Sequence, residues 1–211
     1  MPAAFLVTRP PRPKARFLCA HGSGAAMDSP FLALFAGLLL DRGIETVRFE
    51  FAYMAARRDG GKRRPPPKAE TLMPEMRSVL AQVERDGPPL VIGGKSMGGR
   101  VASLIADEAF RAGAIRGLVC LGYPFHPPQK PEHLRTAHLA ALACPALIVQ
   151  GERDPFGSRA EVEAMALSAA VTLHWASDGD HDLGPRGASG FTRKGNLAAA
   201  ADAVAAFAAR A

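Results

Sequence analysis

Short apolar runs alternate along this chain with longer stretches in which apolar residues recur at helical spacing. Six runs read as buried strands: residues 16–21 (Arg-Phe-Leu-Cys-Ala-His), 44–49, 89–92, 115–121, 144–150 and 171–175. Between them lie helical patterns. Asp28-Ser29-Pro30 announces a helix over Phe31 to Leu40, with Gly43 just beyond it as a stop. Leu72, Met76, Val79, Leu80 and Val83 share one face of a helix over 71–86, which Gly87-Pro88-Pro89 ends. Further helices are expected up to about residue 109, over 133–142, over 158–168, and over the alanine-rich stretch 195–210. Residues 51–68 and 123–130 are rich in proline and read as loops. Alternating strands and helices predict an α/β fold: a doubly wound, mostly parallel sheet covered on both faces. Such sheets carry their sites at the carboxyl ends of strands. No repeat or long linker interrupts the pattern, so residues 1–211 are expected to form a single domain.

Composition narrows the picture a little. Of 211 residues, 48% are hydrophobic and 22% charged, which suits a globular protein. The net charge of +6 is local, with Arg57, Arg58, Lys62, Arg63, Arg64 and Lys68 clustered in one segment. With no interleaved aromatics and no nucleic-acid-binding motif, that cluster reads as a solvated loop; attraction of an anionic substrate is the functional alternative. Cys19, Cys120 and Cys144 each lie in or beside an apolar run, without the spacing of a disulfide framework or a zinc site. They are expected to pack the core in a reducing compartment. The apolar patch from Ala3 to Val7 is too short for a signal peptide, and no run approaches membrane-spanning length, so a cytoplasmic protein is expected.

The chemistry centres on Gly94-Lys95-Ser96-Met97-Gly98. It fits G-x-S-x-G and stands between a strand and a helix, where a serine on a tight turn is held in a strained conformation with its hydroxyl projecting. Ser96 is therefore a candidate nucleophile, the plainer alternative being a helix N-cap in a glycine-rich turn. A phosphate-binding P-loop is excluded, because it needs a glycine five residues before Gly94, where this chain has Pro89. A serine hydroxyl needs an adjacent base, and a histidine base gains from a carboxylate. His181 and Asp154, each in a loop after a strand, supply them. Asp178 is the main competitor of Asp154, which could instead cap the helix that follows. Asp180 and Asp182 cannot easily orient the ring between them. His21 is expected to order its loop, and His174 and Trp175 to pack. His126, near the expected cleft, is read as a surface-loop residue, and His133 and His138 as surface or packing residues.

The pieces His21-Gly22-Ser23-Gly24, Gly94-Lys95-Ser96-Met97-Gly98, Gly151-Glu152-Arg153-Asp154 and Gly179-Asp180-His181 resemble the α/β-hydrolase superfamily from Phe17 to Phe207. The order Ser96, Asp154, His181 is the chain order of that fold. The stretches 21–31 and 49–58 are more narrowly similar to a compact dienelactone-hydrolase-like branch. Its animal relatives include a testis-expressed protein and a subunit of the NSL chromatin complex. The resemblance implies a serine hydrolase of the esterase or thioesterase kind, with Ser96 as nucleophile, His181 as base and Asp154 as orienting acid. It implies an oxyanion site from the Met97 N–H and an N–H near Ser23, with Gly22, Gly24 and Tyr123 bordering a small acyl substrate. No metal, cofactor or membrane is implied, and the oligomeric state stays open. Dienelactone hydrolases proper use a cysteine where this chain has Ser96. Only a short loop follows Leu121, where larger relatives insert a lid, so a minimal fold with an open cleft is expected. The alternative is a non-catalytic binding or scaffold protein on the same fold.

Overall fold

The computed structural model describes residues 3–58, 60, 65–84 and 86–210. Seven strands form one sheet: β1 (Phe5–Thr8), β2 (Ala15–Ala20), β3 (Ile44–Phe49), β4 (Leu90–Lys95), β5 (Gly117–Leu121), β6 (Ala146–Gly151) and β7 (Val171–Ala176). Their order is β1-β3-β2-β4-β5-β6-β7. Every neighbouring pair is parallel except β1 with β3, which is antiparallel.

Side-chain alternation splits the apolar residues into two cores. On β2, Leu18 and Ala20 face one layer while Ala15, Phe17 and Cys19 face the other. The first layer packs on α3 (Met73–Gln82) and α4 (Met97–Arg111) through Met76, Val79, Val101 and Ile105. The second packs on α1 (Pro30–Leu40) and α6 (Arg193–Arg210) through Phe31, Phe35, Leu39, Leu197 and Val204. A sheet buried on both faces needs near-continuous apolar strands, which is what β2, β4, β5 and β6 supply.

Strand order reverses between β2 and β4. The chain runs from β2 outward to β3 and then returns to β4 on the other side. Loops leaving β2 and β4 therefore diverge and open a crevice at their carboxyl ends.

Four local expectations are corrected. The stretch 51–68 is not all loop, because Ala52–Arg58 forms a short helix, α2, anchored by the buried Met54. Residues 59 and 61–64, which include Lys62, Arg63 and Arg64 of the basic cluster, lie outside the described residues. The expected helix over 133–142 is a series of turns: Arg135 N–H donates to the Phe125 carbonyl, outside any helix, and Leu134 points to solvent while Leu139 and Leu142 are buried. The helix expected over 158–168 stops early, as α5 (Arg159–Glu163), since Ser168 N–H turns away to the Leu139 carbonyl. The N-terminal apolar patch is β1, whose residues Phe5 and Val7 pair with Phe49 and Val47.

Among the described residues, no helix or strand is inserted between β5 and β6 to form a lid domain. The three cysteines are buried and free. Among the described residues, no helix is long and apolar enough to cross a membrane.

Candidate active site

The turn from β4 into α4 bends so sharply that Ser96 takes φ 51° and ψ −115°. This left-handed backbone costs a β-substituted residue on the order of 1–3 kcal/mol and persists only where the surroundings enforce it. The enforcement is visible. Ser96 N–H donates to the Leu121 carbonyl at 2.9 Å. A Cβ on Gly98 would lie 2.5 Å from the His21 carbonyl oxygen, and one on Gly94 would lie 2.2 Å from that of Ala20. Only glycine lets α4 and β4 close on the end of β2 so tightly. The result pushes the Ser96 side chain, partly exposed, into the crevice.

Two other strand ends reach it. Asp154 follows β6 and is fully buried; His181 lies in the loop after β7 with about a quarter of its side chain exposed. His181 Nδ1 stands 2.8 Å from Asp154 Oδ2, and His181 Nε2 stands 2.9 Å from Ser96 Oγ. A carboxylate can only accept, so Nδ1 carries the hydrogen and Nε2 is left free to accept from the serine hydroxyl. Phe156 covers the ring with centroids 4.5 Å apart.

Asp154 is more than a cap. Ser158 caps α5 together with Glu161, while Asp154 Oδ1 accepts from Phe156 N–H at 2.9 Å. Asp178, its competitor, faces away from the imidazole and binds Arg186 and Arg153.

Supporting groups surround the three residues. Gln150, on β6, donates from Nε2 to Asp154 Oδ2 at 2.9 Å. Lys95, buried beside Ser96, donates to the His181 carbonyl at 2.8 Å and lies 3.2 Å from Asp182. Burial pulls its ammonium below the usual lysine range, with Asp182 opposing that shift. Neither residue stands out in the sequence: Gln150 lies inside an apolar strand and Lys95 inside the glycine motif.

On the far side of the crevice His21 is buried. It donates from Nδ1 to the Gly22 carbonyl at 2.6 Å and accepts at Nε2 from Phe51 N–H at 3.2 Å. Burial, above all, lowers its pKa, which fits this neutral, doubly engaged ring. Tyr53 donates to the Ser23 carbonyl at 3.1 Å, so the loop after β2 is held from two directions. Met97 is the first residue of α4, and its N–H has no acceptor within the helix.

Two clefts meet at Ser96. One, of about 490 Å³, is bordered by Ser23, Ser96, Met97 and Phe156; the other, of about 350 Å³, by Gly22, Gly24, Lys95 and His181. Tyr123 lines neither and must be removed from the substrate-contacting set. It is fully buried, and its hydroxyl donates to the Arg135 carbonyl at 2.9 Å. His126 is also buried rather than on the surface, against Pro127. Half-buried His138 meets the Ser103 hydroxyl at 2.8 Å, and Trp175 packs under Arg159. Among the described residues, no group of three or more histidine, cysteine or acidic side chains could hold a metal ion.

Comparison with solved structures returns the same architecture. An alpha-beta serine hydrolase homologue from Coxiella burnetii superposes with a TM-score of 0.69 at 20% identity, over 98% of this chain and 89% of the other. A dienelactone hydrolase from Anabaena variabilis gives 0.69 at 21% identity, over 99% and 89%. The esterase domain of a Rhodothermus marinus protein gives 0.64 at 15% identity, over 100% and 99%. At such identities the likeness speaks for the fold. The family described as an alpha/beta hydrolase domain matches residues 13–209, nearly the whole length, and this chain belongs to it.

Proposed function

We propose that this protein is a serine hydrolase that cleaves an ester, thioester or related acyl bond of a small substrate. The observation that carries the reading is the continuous path from Asp154 through His181 to Ser96, with both hydrogen bonds under 3 Å. Ser96 Oγ attacks the acyl carbonyl while His181 Nε2 takes its proton. The imidazolium then gives that proton to the departing alcohol or thiol, leaving an acyl-serine. Water, deprotonated by the same nitrogen, attacks the acyl-serine, and the proton returns to Ser96 as the acid leaves. Asp154 holds the tautomer and steadies the cation. The N–H groups of Met97 and Ser23 receive the tetrahedral oxygen, each such donor being worth about 3 kcal/mol of barrier. As written, the reaction draws on no metal or cofactor. Within the family, the kinship proposed is with the compact dienelactone-hydrolase-like proteins, with serine where dienelactone hydrolases proper have cysteine.

A fluorophosphonate probe and a small aryl ester test the reading. Labelling and turnover are expected in the native protein. Ser96→Ala should abolish both, and His181→Ala should lower turnover by about three orders of magnitude or more. Labelling that persists in Ser96→Ala, or an equal rate in His181→Ala, would overturn it and leave a non-catalytic member of the fold.

A further inference from the structure

The larger of the two clefts at Ser96 has an unbalanced wall. Along with the apolar Pro124 and Phe156 it is lined by Lys68, Arg100 and Arg135, with Glu70 as the single carboxylate. Glu70 is engaged: Arg100 Nη2 binds its Oε1. Arg100 Nε remains buried without any hydrogen-bond partner. The guanidinium of Arg135, half-buried, has no ion pair or hydrogen bond among the described residues. Burial first and the neighbouring Arg100 second pull its pKa below the usual guanidinium range. Arginine does not lose its proton in proteins, so that shift reports a cation that Glu70 compensates only in part, rather than a neutral group.

A half-buried cation beside a second, incompletely satisfied one in a cleft wall is costly unless something anionic enters. Three features say what. The guanidinium is a planar fork that matches a carboxylate through two parallel hydrogen bonds. Ser23 and Met97, which offer the N–H groups expected to hold the carbonyl oxygen, border the same cleft. Its volume of about 490 Å³ leaves room for a short chain beyond the reacting carbonyl.

We propose that this cleft is a carboxylate subsite, with Arg135 as its principal anchor and Arg100 beside it. The preferred substrates are then acyl esters or thioesters that carry a second, free carboxylate, such as half-esters of short dicarboxylic acids. The proposal rests on the serine-hydrolase reading and adds the substrate class to it.

The test pairs 4-nitrophenyl monoesters of succinate, glutarate and adipate with the uncharged 4-nitrophenyl esters of matching length, in native protein, Arg135→Gln and Arg135→Lys. The native protein is expected to favour the charged ester in kcat/KM roughly ten- to a hundredfold, mainly through KM, and to lose that preference as salt is raised. Arg135→Gln should bring the ratio to about one, and Arg135→Lys should fall between. Free glutarate should slow fluorophosphonate labelling of the native protein but not of Arg135→Gln, whereas the uncharged diamide should protect neither. Uncharged esters turned over as well as charged ones, or no protection by glutarate of a protein that labels, would overturn the subsite while leaving the hydrolase standing. No labelling and no turnover of any ester would overturn both.

Discussion

The side-chain amide of Gln150 and the carboxylate of Asp154 share one oxygen with His181: Asp154 Oδ2 lies 2.9 Å from Gln150 Nε2 and 2.8 Å from His181 Nδ1. The orientation of the amide is dictated by its neighbours. Tyr123 N–H can only donate, so Oε1 faces it at 2.8 Å, and Nε2 is turned toward Asp154 and the carbonyls of Tyr123 and Gly157. Gln150 therefore fixes where the buried carboxylate points before the imidazole meets it. Gln150→Leu should leave the buried Asp154 oxygen short of one donor and the Tyr123 N–H without its acceptor, at about 1–3 kcal/mol for each group. We expect kcat for an aryl ester to fall roughly ten- to a hundredfold with KM little changed, since Gln150 borders neither cleft. A variant that loses stability but keeps its kcat would show that the amide only packs.

Gly98 supports the elbow by absence. A methyl there would press on two backbone oxygens, of His21 at 2.5 Å and of Ala20 at 2.6 Å, neither of which can rotate away. Gly98→Ala must move α4 off the end of β2, and overpacking of this kind costs typically about 1–3 kcal/mol. For a chain of this size that is a fall of roughly 2–12 °C in Tm. Because the displaced turn carries Ser96, fluorophosphonate labelling should drop much further than the folded fraction does. Parallel losses in the two would mean that the turn tolerates the shift.

What the sequence made legible follows from how local each signal is. Ser96 stands out because glycines crowd it within five residues, and the strand and helix flanking it are strongly patterned. Asp154 and His181 are legible through their loops, since sites gather at the carboxyl ends of parallel strands. The sheet was readable from its apolar runs, except β1, whose four residues, three half-buried and Val7 exposed, resemble any short patch. Gln150 was invisible because nothing in an apolar strand says which way a lone amide faces. Arg135 was hidden inside a stretch with helical spacing that folds instead as turns, because one backbone bond to Phe125 diverts it. Tyr123 was misplaced because a residue just after a strand end can turn inward as readily as toward substrate.

The loop carrying His181 has its own electrostatic clamp, and this gives a pH dependence. Asp178 accepts from Arg186 N–H at 2.7 Å and from its side chain, and it pairs with Arg153 at 2.8 Å. The Arg186 side-chain hydrogen bond is the main cause that brings the Asp178 carboxyl down to about 2 from an ordinary value of 3.8. A folded-state pKa lowered in this way stabilises the protein above the ordinary value and ceases to do so as pH falls through about 2. Asp178→Asn keeps a residue that tolerates the local φ of 49° while removing the charge. The native protein should have the higher Tm from about pH 5 upward, and the gap should close between about pH 4 and pH 2. A gap that does not change with pH would assign the difference to shape rather than charge.

The last expectation concerns a pair of charges at the opposite end of the strands from Ser96. Arg16 and Glu45 are register partners on β2 and β3, and Arg16 Nε meets Glu45 Oε2 at 2.8 Å. Their side chains are 5% and 0% exposed, so neither can turn to water if the other is lost. The more exposed Arg9 adds a second contact to Glu45 at 2.7 Å, and Arg16 also donates to the Glu84 carbonyl at 2.8 Å. Removing one member strands a buried charge, typically at about 3–5 kcal/mol, whereas replacing both with apolar side chains of similar volume is often neutral. Glu45→Leu alone should therefore shift the urea midpoint sharply downward, and Arg16→Met with Glu45→Leu should recover most of it. Ser96 labelling per folded molecule should stay constant through the series, because the pair lies beneath the sheet edge that the crevice does not share. If the double variant proved less stable than Glu45→Leu alone, the pair would be holding the β2–β3 register through its hydrogen bonds rather than costing desolvation, and the sign of its contribution would reverse.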